Sequence, residues 1–134
     1  MNDLSSRSHL VFGVVANCRN NKTGEVIKGK ISFVDLAGSE RLSKSNPNVN
    51  AERLRESNAI NLSLKSLGDV IQDLSNDSAS RSHIRYRDNK LTHLMKDSLG
   101  GNSKTLMFVN IAPSDFNVQE SLFSLQFGMR VKMV

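Results

Sequence analysis

The sequence predicts an α/β fold, and three observations support that prediction. Two apolar runs rich in β-branched residues flank a turn signal, a long stretch with helical periodicity follows, and a third apolar run lies near the C-terminus. The resulting order is strand, strand, helix, helix, strand, helix, which indicates an α/β layer architecture. No internal repeat and no second domain is evident, so residues 1–134 are interpreted as belonging to one domain.

The first half of the chain predicts a β-hairpin. Residues 10–18 and 26–36 are runs containing Val, Ile and Phe, and the intervening residues 20–24 (NNKTG) are typical of a turn. So short a connection makes the two strands antiparallel. A polar loop containing Pro47 is expected over residues 38–50.

The second half predicts helices around one further strand. Residues 51–74 carry apolar side chains every three or four positions, which is the pattern of a long amphipathic helix. A short helix over residues 90–99 is expected to end at Gly100. Residues 104–112 are apolar enough for a strand buried on both faces, and a final amphipathic helix is predicted from Val118 onward.

Composition narrows the classes of function. The net charge of +5 favours an acidic partner, but aromatic residues make up only 5% of the chain, which leaves few side chains for stacking on nucleic-acid bases. No apolar run approaches the roughly 20 residues of a membrane span. The polar N-terminus does not resemble a signal peptide, and the lone Cys18 fits a reducing setting. These features fit an intracellular chain, but charge alone does not choose among nucleic acid, an anionic membrane surface and an acidic protein surface. The expectation that the partner is neither nucleic acid nor membrane depends on the motifs described below.

Two short motifs indicate a phosphate-sensing site. Residues 35–38 (DLAG) follow an apolar strand, where the carboxylate can hold Mg²⁺ through water and the glycine N–H can approach a γ-phosphate. Residues 5–9 (SSRSH) supply hydroxyls for Mg²⁺ or phosphate and an arginine to pair with Glu40. Each motif alone also fits a plainer interpretation, a turn after a strand or a serine-rich polar loop. His9 is interpreted as a packing or hydrogen-bonding residue rather than a catalytic base.

A GTPase is a competing interpretation of the Asp-x-x-Gly pattern. That class requires an Asn-Lys-x-Asp motif to read guanine, and the nearest match, residues 89–92 (NKLT), has Thr92 where the aspartate must stand. No Gly-x-x-x-x-Gly-Lys-Ser/Thr phosphate-binding loop occurs in the 134 residues either. The sequence thus has the motifs of a phosphate sensor without the main phosphate cradle.

Five motifs, in this order, resemble those of kinesin motor domains. They are residues 2–9 (NDLSSRSH), 35–40 (DLAGSE), 60–64 (INLSL), 86–92 (YRDNKLT) and 97–102 (DSLGGN). The resemblance covers essentially the whole chain and implies the C-terminal half of a kinesin-type P-loop NTPase motor, from switch I onward, with the P-loop half absent. The fold implied is α/β, with a central mixed β-sheet flanked by helices. It is strongest to the minus-end-directed kinesins whose motor is C-terminal.

The resemblance implies a nucleotide site built from the two switches. Asn2, Ser5 and Ser6 would belong to switch I, with Ser6 facing Mg²⁺ and the γ-phosphate. Asp35 would reach Mg²⁺ through water, and the Gly38 N–H would contact the γ-phosphate. The cofactors implied for the complete motor are therefore ATP and Mg²⁺.

The resemblance also implies a catalytic group and its coupling to the track. Arg7 and Glu40 would form the ion pair that closes the site and positions the attacking water, beside the N–H of Gly38. Asn61, on the long helix, would help couple this closure to the surface that faces the microtubule.

Tubulin-facing residues follow from the same resemblance. The candidates are Lys44, Arg87, Lys90 and His93, whose positive charge would steer the motor toward an acidic surface. Lys96 is interpreted as an ordinary solvated side chain. His93 stands where an arginine is common in the family. Arg85 replaces the usual proline, which removes a rigid turn and adds a positive charge.

The function implied is that of an ATP-dependent microtubule motor located in the cytoplasm on the cytoskeleton. The alternative is a non-catalytic microtubule-binding module that kept only the track-binding face. A full-length protein of this family is expected to dimerise through a coiled coil outside this chain. Because the phosphate cradle is missing, we expect the isolated chain not to bind or hydrolyse ATP appreciably.

Overall fold

A computed structural model describes residues 7–39, 50–76 and 83–134 of the chain. The chain divides into two compact units, Met1–Gly38 and Ser39–Val134. The first unit contains a β-hairpin, and the second contains helices.

The hairpin consists of strands β1 (Leu10–Arg19) and β2 (Val26–Asp35), which pair antiparallel. The turn between them depends on Asn20, whose side-chain oxygen accepts hydrogen bonds from the N–H groups of Lys22 and Thr23 at 2.9 and 3.3 Å. Gly24 closes the turn at φ 73°, a backbone conformation that glycine adopts at little cost. The predicted hairpin is confirmed, with strand ends within one residue of those expected.

One face of the hairpin is apolar and open to solvent. Phe12 lies directly opposite Phe33, with ring centroids 6.5 Å apart, yet the two residues are 58% and 56% exposed. Val14 and Ile31 continue the same face and are also exposed. The apolar face is therefore of the kind that a sheet normally buries, but none of the described residues of this unit covers it.

The long helix α1 (Ala51–Ser75) begins where it was predicted. Asn50 caps it, since its side-chain oxygen accepts a hydrogen bond from the Arg53 N–H at 2.8 Å. The buried side of α1 lies in its C-terminal half, at residues Ser63, Leu67, Val70, Ile71 and Leu74. The helical spacing seen in the sequence therefore corresponds to the face that packs.

Two short helices replace the single helix predicted over residues 90–99. A 3₁₀ turn (Tyr86–Asp88) leads into α2 (Lys90–Leu94), and α3 (Lys96–Gly100) follows after Met95. Met95 leaves the helical conformation at φ −89° and ψ 1°, although its N–H still donates to the Leu91 carbonyl. Both side chains are buried, as α2 packs on α1. Burial of these two residues holds the break in place.

The strand predicted over residues 104–112 is wrong for this structure. Among the described residues β1 and β2 pair only with each other, in a two-stranded antiparallel sheet. A strand needs a neighbour to receive its backbone hydrogen bonds, and none of the described residues provides one for this segment. Leu106 and Phe108 are accordingly 77% and 78% exposed instead of buried.

The last helix, α4 (Val118–Val131), follows a 3₁₀ turn at Asp115–Asn117. It packs on α1, where a Cβ built at Gly68 would lie 3.5 Å from the ring of Phe127. Across the three described stretches, no helix is both long and apolar enough to span a membrane.

Candidate functional site

The open end of the hairpin brings the two phosphate-sensing motifs together. Leu10 pairs with Asp35, so the residues before β1 run beside the residues after β2. Across this end the Ala37 N–H donates a hydrogen bond to Nδ1 of His9 at 3.0 Å. Ala37 is buried. The structure thus links the end of one motif to the middle of the other by a specific bond.

His9 forms this bond only as a neutral ring. Because Nδ1 accepts the Ala37 hydrogen bond, it carries no proton. Partial burial also lowers the pKa of His9 from its ordinary value by penalising the charged form. The predicted hydrogen-bonding role of His9 is confirmed, and its partner is the backbone of the second motif.

The neighbouring candidates lie at the same end of the hairpin. Asp35 is the last residue of β2 and is exposed, while Arg7 and Gly38 are half-buried. The candidates Asn2, Ser5, Ser6 and Glu40 lie outside the described residues. The Arg7–Glu40 ion pair and the contact of Ser6 with Mg²⁺ therefore stay predictions.

The donor set at this end suits magnesium. Within the described stretches no three His, Cys, Asp or Glu side chains form a cluster able to hold a metal ion. Mg²⁺ does not require such a cage, because it keeps several waters and takes one or two carboxylates together with substrate phosphates. The exposed carboxylate of Asp35 supplies a ligand of that kind, so the residues present fit the ion.

A second group of candidates lies where α2 meets α1. Thr92 is completely buried, and its hydroxyl lies 2.8 Å from the Tyr86 carbonyl and 2.9 Å from the Asn89 carbonyl. The side chain of Asn89 caps α2 by accepting a hydrogen bond from the Leu91 N–H at 2.9 Å. These bonds fix the 3₁₀ turn against α2.

The predicted tubulin-facing cations of this region are all at the surface. Arg87 is exposed on the 3₁₀ turn, and Lys90 and His93 are exposed on α2. The last two are three positions apart, so they share one side of the helix. Lys96 has its Nζ 5.9 Å from the centre of the Tyr86 ring, within cation–π range, so it is not simply solvated. Lys44 lies outside the described residues.

Arg85 has a defined partner. Its Nε and Nη2 atoms donate to the two carboxylate oxygens of Asp73 on α1 at 3.0 and 2.9 Å, and its backbone N–H lies 3.4 Å from Oδ2. This hydrogen-bonded pairing lowers the pKa of Asp73 and raises that of Arg85. The positive charge that the sequence seemed to add is therefore paired inside the chain.

The sequence matches the kinesin motor domain family over residues 1–134. The chain belongs to the kinesin motor family. The kinesin-like protein KIN-14R of Arabidopsis thaliana is 52% identical over 134 residues, which is 100% of this chain and 12% of that protein.

Two solved kinesin structures illustrate the likeness. The C-terminal motor and motor homology domain of Kar3Vik1, fused to a synthetic heterodimeric coiled coil, is 48% identical with a TM-score of 0.86, over 97% of this chain and 34% of that one. The KIF14 dimer in a two-heads-bound state, with AMP-PNP and in complex with a microtubule, is 39% identical with a TM-score of 0.85, over 96% and 36%.

These findings confirm the family and agree with the predicted C-terminal-motor group. They also show that the chain spans about an eighth of the curated relative and about a third of the two solved chains. The activity and partners of a complete kinesin are therefore only proposed for this chain.

In this kinesin chain, Asn61 lies in α1 and is half-buried. Its Nδ2 atom is 3.5 Å from the Ser57 hydroxyl, one helical turn earlier. This contact is local to α1. The coupling role of Asn61 stays a prediction.

Sequence reasoning missed the contacts that five residues of the helical unit make. Thr92 was considered only as evidence against a GTPase, whereas its hydroxyl joins the turn to α2. The Asp73–Arg85 pair was not foreseen, because its members are 12 positions apart and no local pattern connects them. The caps at Asn50 and Asn89 had a usable signal, an asparagine immediately before a helix.

Proposed function

We propose that this chain is the switch and microtubule-binding portion of an ATP-driven kinesin motor. The observation that supports it best is the hydrogen bond from Ala37 to His9, which joins the two nucleotide-sensing motifs at one end of the hairpin. A dimer formed through a coiled coil outside this chain, and a cytoplasmic location on microtubules, belong to the same proposal.

On the nucleotide side, each residue acts through position and charge rather than covalent chemistry. Bound Mg²⁺ would neutralise charge on the β- and γ-phosphates of ATP, with Ser6 and Asp35 as its protein ligands, the latter through water. The Gly38 N–H would donate to the γ-phosphate. Arg7 and Glu40 would close the site over the attacking water, with Asn2 and Ser5 completing switch I.

In this scheme His9 fixes the position of the second motif, residues 35–38. It fixes the backbone at Ala37, the residue directly before Gly38, so the glycine N–H has a defined starting position. A shift of the first motif would then be transmitted to the second through one bond.

On the proposed microtubule-binding surface, exposed cations lie on the 3₁₀ turn and on α2, which hydrogen bonds hold together. Arg87 and Lys90 are exposed and flank the Asn89 cap, which the buried Thr92 hydroxyl holds in place. Exposed cations of this kind speed association with an acidic surface and set orientation more than they add affinity. Tubulin is the acidic partner that the family implies.

One cavity among the described residues is smaller than a usual ligand site. In the helical unit, a cavity lined by Ser39 and by residues around the start of α4 has a volume of about 170 Å³. Pockets that enclose drug-sized ligands usually measure about 300–1,000 Å³. Together with the missing phosphate-binding loop, this supports a chain that binds microtubules but does not turn over ATP alone.

Co-sedimentation with microtubules tests the proposal. We expect the purified chain to pellet with microtubules, without microtubule-stimulated ATP hydrolysis. The double substitution Arg87→Ala and Lys90→Ala should weaken binding by roughly three- to tenfold, because each exposed ionic contact is worth up to about 1 kcal/mol. Robust ATPase activity of the chain, or a failure to pellet, would contradict the proposal.

A matched control separates specific contacts from net charge. Lys22→Ala together with Lys28→Ala removes the same two positive charges from exposed positions of the hairpin. We expect this variant to pellet as the unsubstituted chain does. Equal weakening in both double variants would mean that only total charge matters.

A further inference from the structure

Asp73 and Arg85 form a two-pronged ion pair with defined geometry rather than a single loose contact at the surface. We call this contact the Asp73–Arg85 joint. Both carboxylate oxygens are used, and the two side-chain hydrogen bonds measure 2.9 and 3.0 Å. The Arg85 backbone N–H points to the same carboxylate at 3.4 Å. Asp73 is only 17% exposed at its side chain, so it is partly held by its surroundings. Two-pronged arginine–carboxylate pairs of this kind fix orientation as well as distance.

The joint connects α1 to the turn that carries one of the proposed tubulin-facing cations. Asp73 lies on α1, whereas Arg85 immediately precedes the 3₁₀ turn that carries Arg87. The same turn is tied forward to α2 through the buried hydroxyl of Thr92. The turn is therefore held at both ends, by α1 on one side and by α2 on the other.

We propose that the Asp73–Arg85 joint positions the exposed cations Arg87 and Lys90 for the microtubule, and that Arg85 itself does not contact the track. This inference rests on the proposed microtubule-binding function. Asp73 and Arg85 are thus positioning residues. Other charges near the joint are Asp69 on α1, Asp88 on the turn and His83, and none of them shares its hydrogen bonds in the described residues.

The two explanations for Asp73 predict opposite effects of its neutralisation. If Asp73 were only a negative charge near an acidic partner, Asp73→Asn would leave microtubule binding unchanged or tighten it. If Asp73 positions the turn, the same substitution should weaken binding although the chain becomes more positive. We expect a three- to tenfold loss of affinity in co-sedimentation.

Asp69→Asn is the matched control, since it removes the same charge from the same helix, one turn earlier. We expect its affinity to equal or slightly exceed that of the unsubstituted chain. Arg85→Lys tests the second half of the proposal, because lysine keeps the charge but lacks the planar fork. Arg85→Lys should weaken binding as Asp73→Asn does. Binding by Asp73→Asn as tight as by Asp69→Asn, or unchanged binding by Arg85→Lys, would overturn the inference.

Hydrogen exchange provides a readout that needs no microtubule. In Asp73→Asn the backbone amides of residues 85–89 should exchange at least several-fold faster than in Asp69→Asn, while α1 keeps its protection. Unchanged exchange at these residues would overturn the inference even if the unsubstituted chain failed to bind microtubules. Failure of that chain to bind would count against the proposed function instead, so the two results remain separable.

Discussion

At the scale of single residues, His9 makes the contact that bears most directly on the proposed nucleotide site. Its ring accepts the Ala37 N–H and is partly buried, and both conditions favour the neutral form. A protonated ring would turn Nδ1 from an acceptor into a donor facing another donor. The bond between the two motifs is therefore sensitive to pH.

The sign of this dependence follows from the lowered pKa of His9. In the unfolded chain the ring binds a proton near its ordinary pKa of 6.5, whereas in the folded chain it binds one only at lower pH. The stabilisation is complete above pH 6.5 and is progressively lost as the pH falls below that value. Urea unfolding followed between about pH 5 and pH 8 should show this loss.

His9→Asn is the appropriate comparison for that measurement, since its amide oxygen can accept the same N–H but does not titrate. We expect its stability to vary less over this pH range than that of the unsubstituted chain. Curves that fall in parallel for the two proteins would assign the pH dependence to other groups.

At the scale of elements, Thr92 decides how the 3₁₀ turn and α2 fit together. Thr92→Val keeps the shape but removes the buried hydroxyl that bonds the Tyr86 and Asn89 carbonyls, of which the second also accepts the His93 N–H. A typical intramolecular hydrogen bond contributes about 0.5–1.5 kcal/mol, so we expect a loss of that size in the free energy of unfolding. Thermal or urea denaturation followed by circular dichroism measures it.

Thr92→Ser keeps the hydroxyl and loses only a methyl group, which costs about 1 kcal/mol in a packed interior. We expect Thr92→Ser to retain microtubule binding, whereas Thr92→Val should also weaken it. Lower stability of Thr92→Ser than of Thr92→Val would show that the methyl group, and not the hydroxyl, is what matters at this position.

Elements that depend on local signals were predictable from the sequence. The hairpin followed from residues 20–24 and the apolar runs beside them, and α1 followed from apolar spacing. Residues 104–112 were predicted wrongly, because a strand also requires a partner and sequence periodicity does not supply one. The break at Met95 was missed, because it lies at a buried residue and no glycine or proline marks it in the sequence.

The candidate site residues also divide into those that a local pattern revealed and those that depend on contacts between distant residues. His9 was interpreted as a packing or hydrogen-bonding residue, which its bond to the Ala37 N–H confirms, but that partner could not be read from the sequence. Asp73 and Arg85 had no pattern to reveal them, since their contact depends on how α1 meets the following turn. Contacts between residues far apart in the chain could not be predicted from this one sequence.

At the scale of the whole molecule, each unit leaves apolar surface uncovered. Phe12 and Phe33 are more than half exposed on the hairpin, and Leu106 and Phe108 are more exposed still in the helical unit. A two-stranded hairpin in water is at best marginally stable without a covering layer. We therefore expect the isolated hairpin to exchange its amides much faster than the buried half of α1.

A chimera tests this expectation together with the proposed motor activity. The remainder of the KIN-14R motor domain, joined in frame to this chain, should cover the apolar face of the hairpin and complete the nucleotide site. We expect slower hydrogen exchange at residues 11–18 than in the isolated chain, and microtubule-stimulated release of phosphate from ATP. Gly38→Ala in the chimera should abolish that hydrolysis, since it disturbs the N–H proposed to meet the γ-phosphate. A chimera with a protected hairpin and intact microtubule binding but no ATPase activity would favour the alternative, a module that retained only the track-binding face.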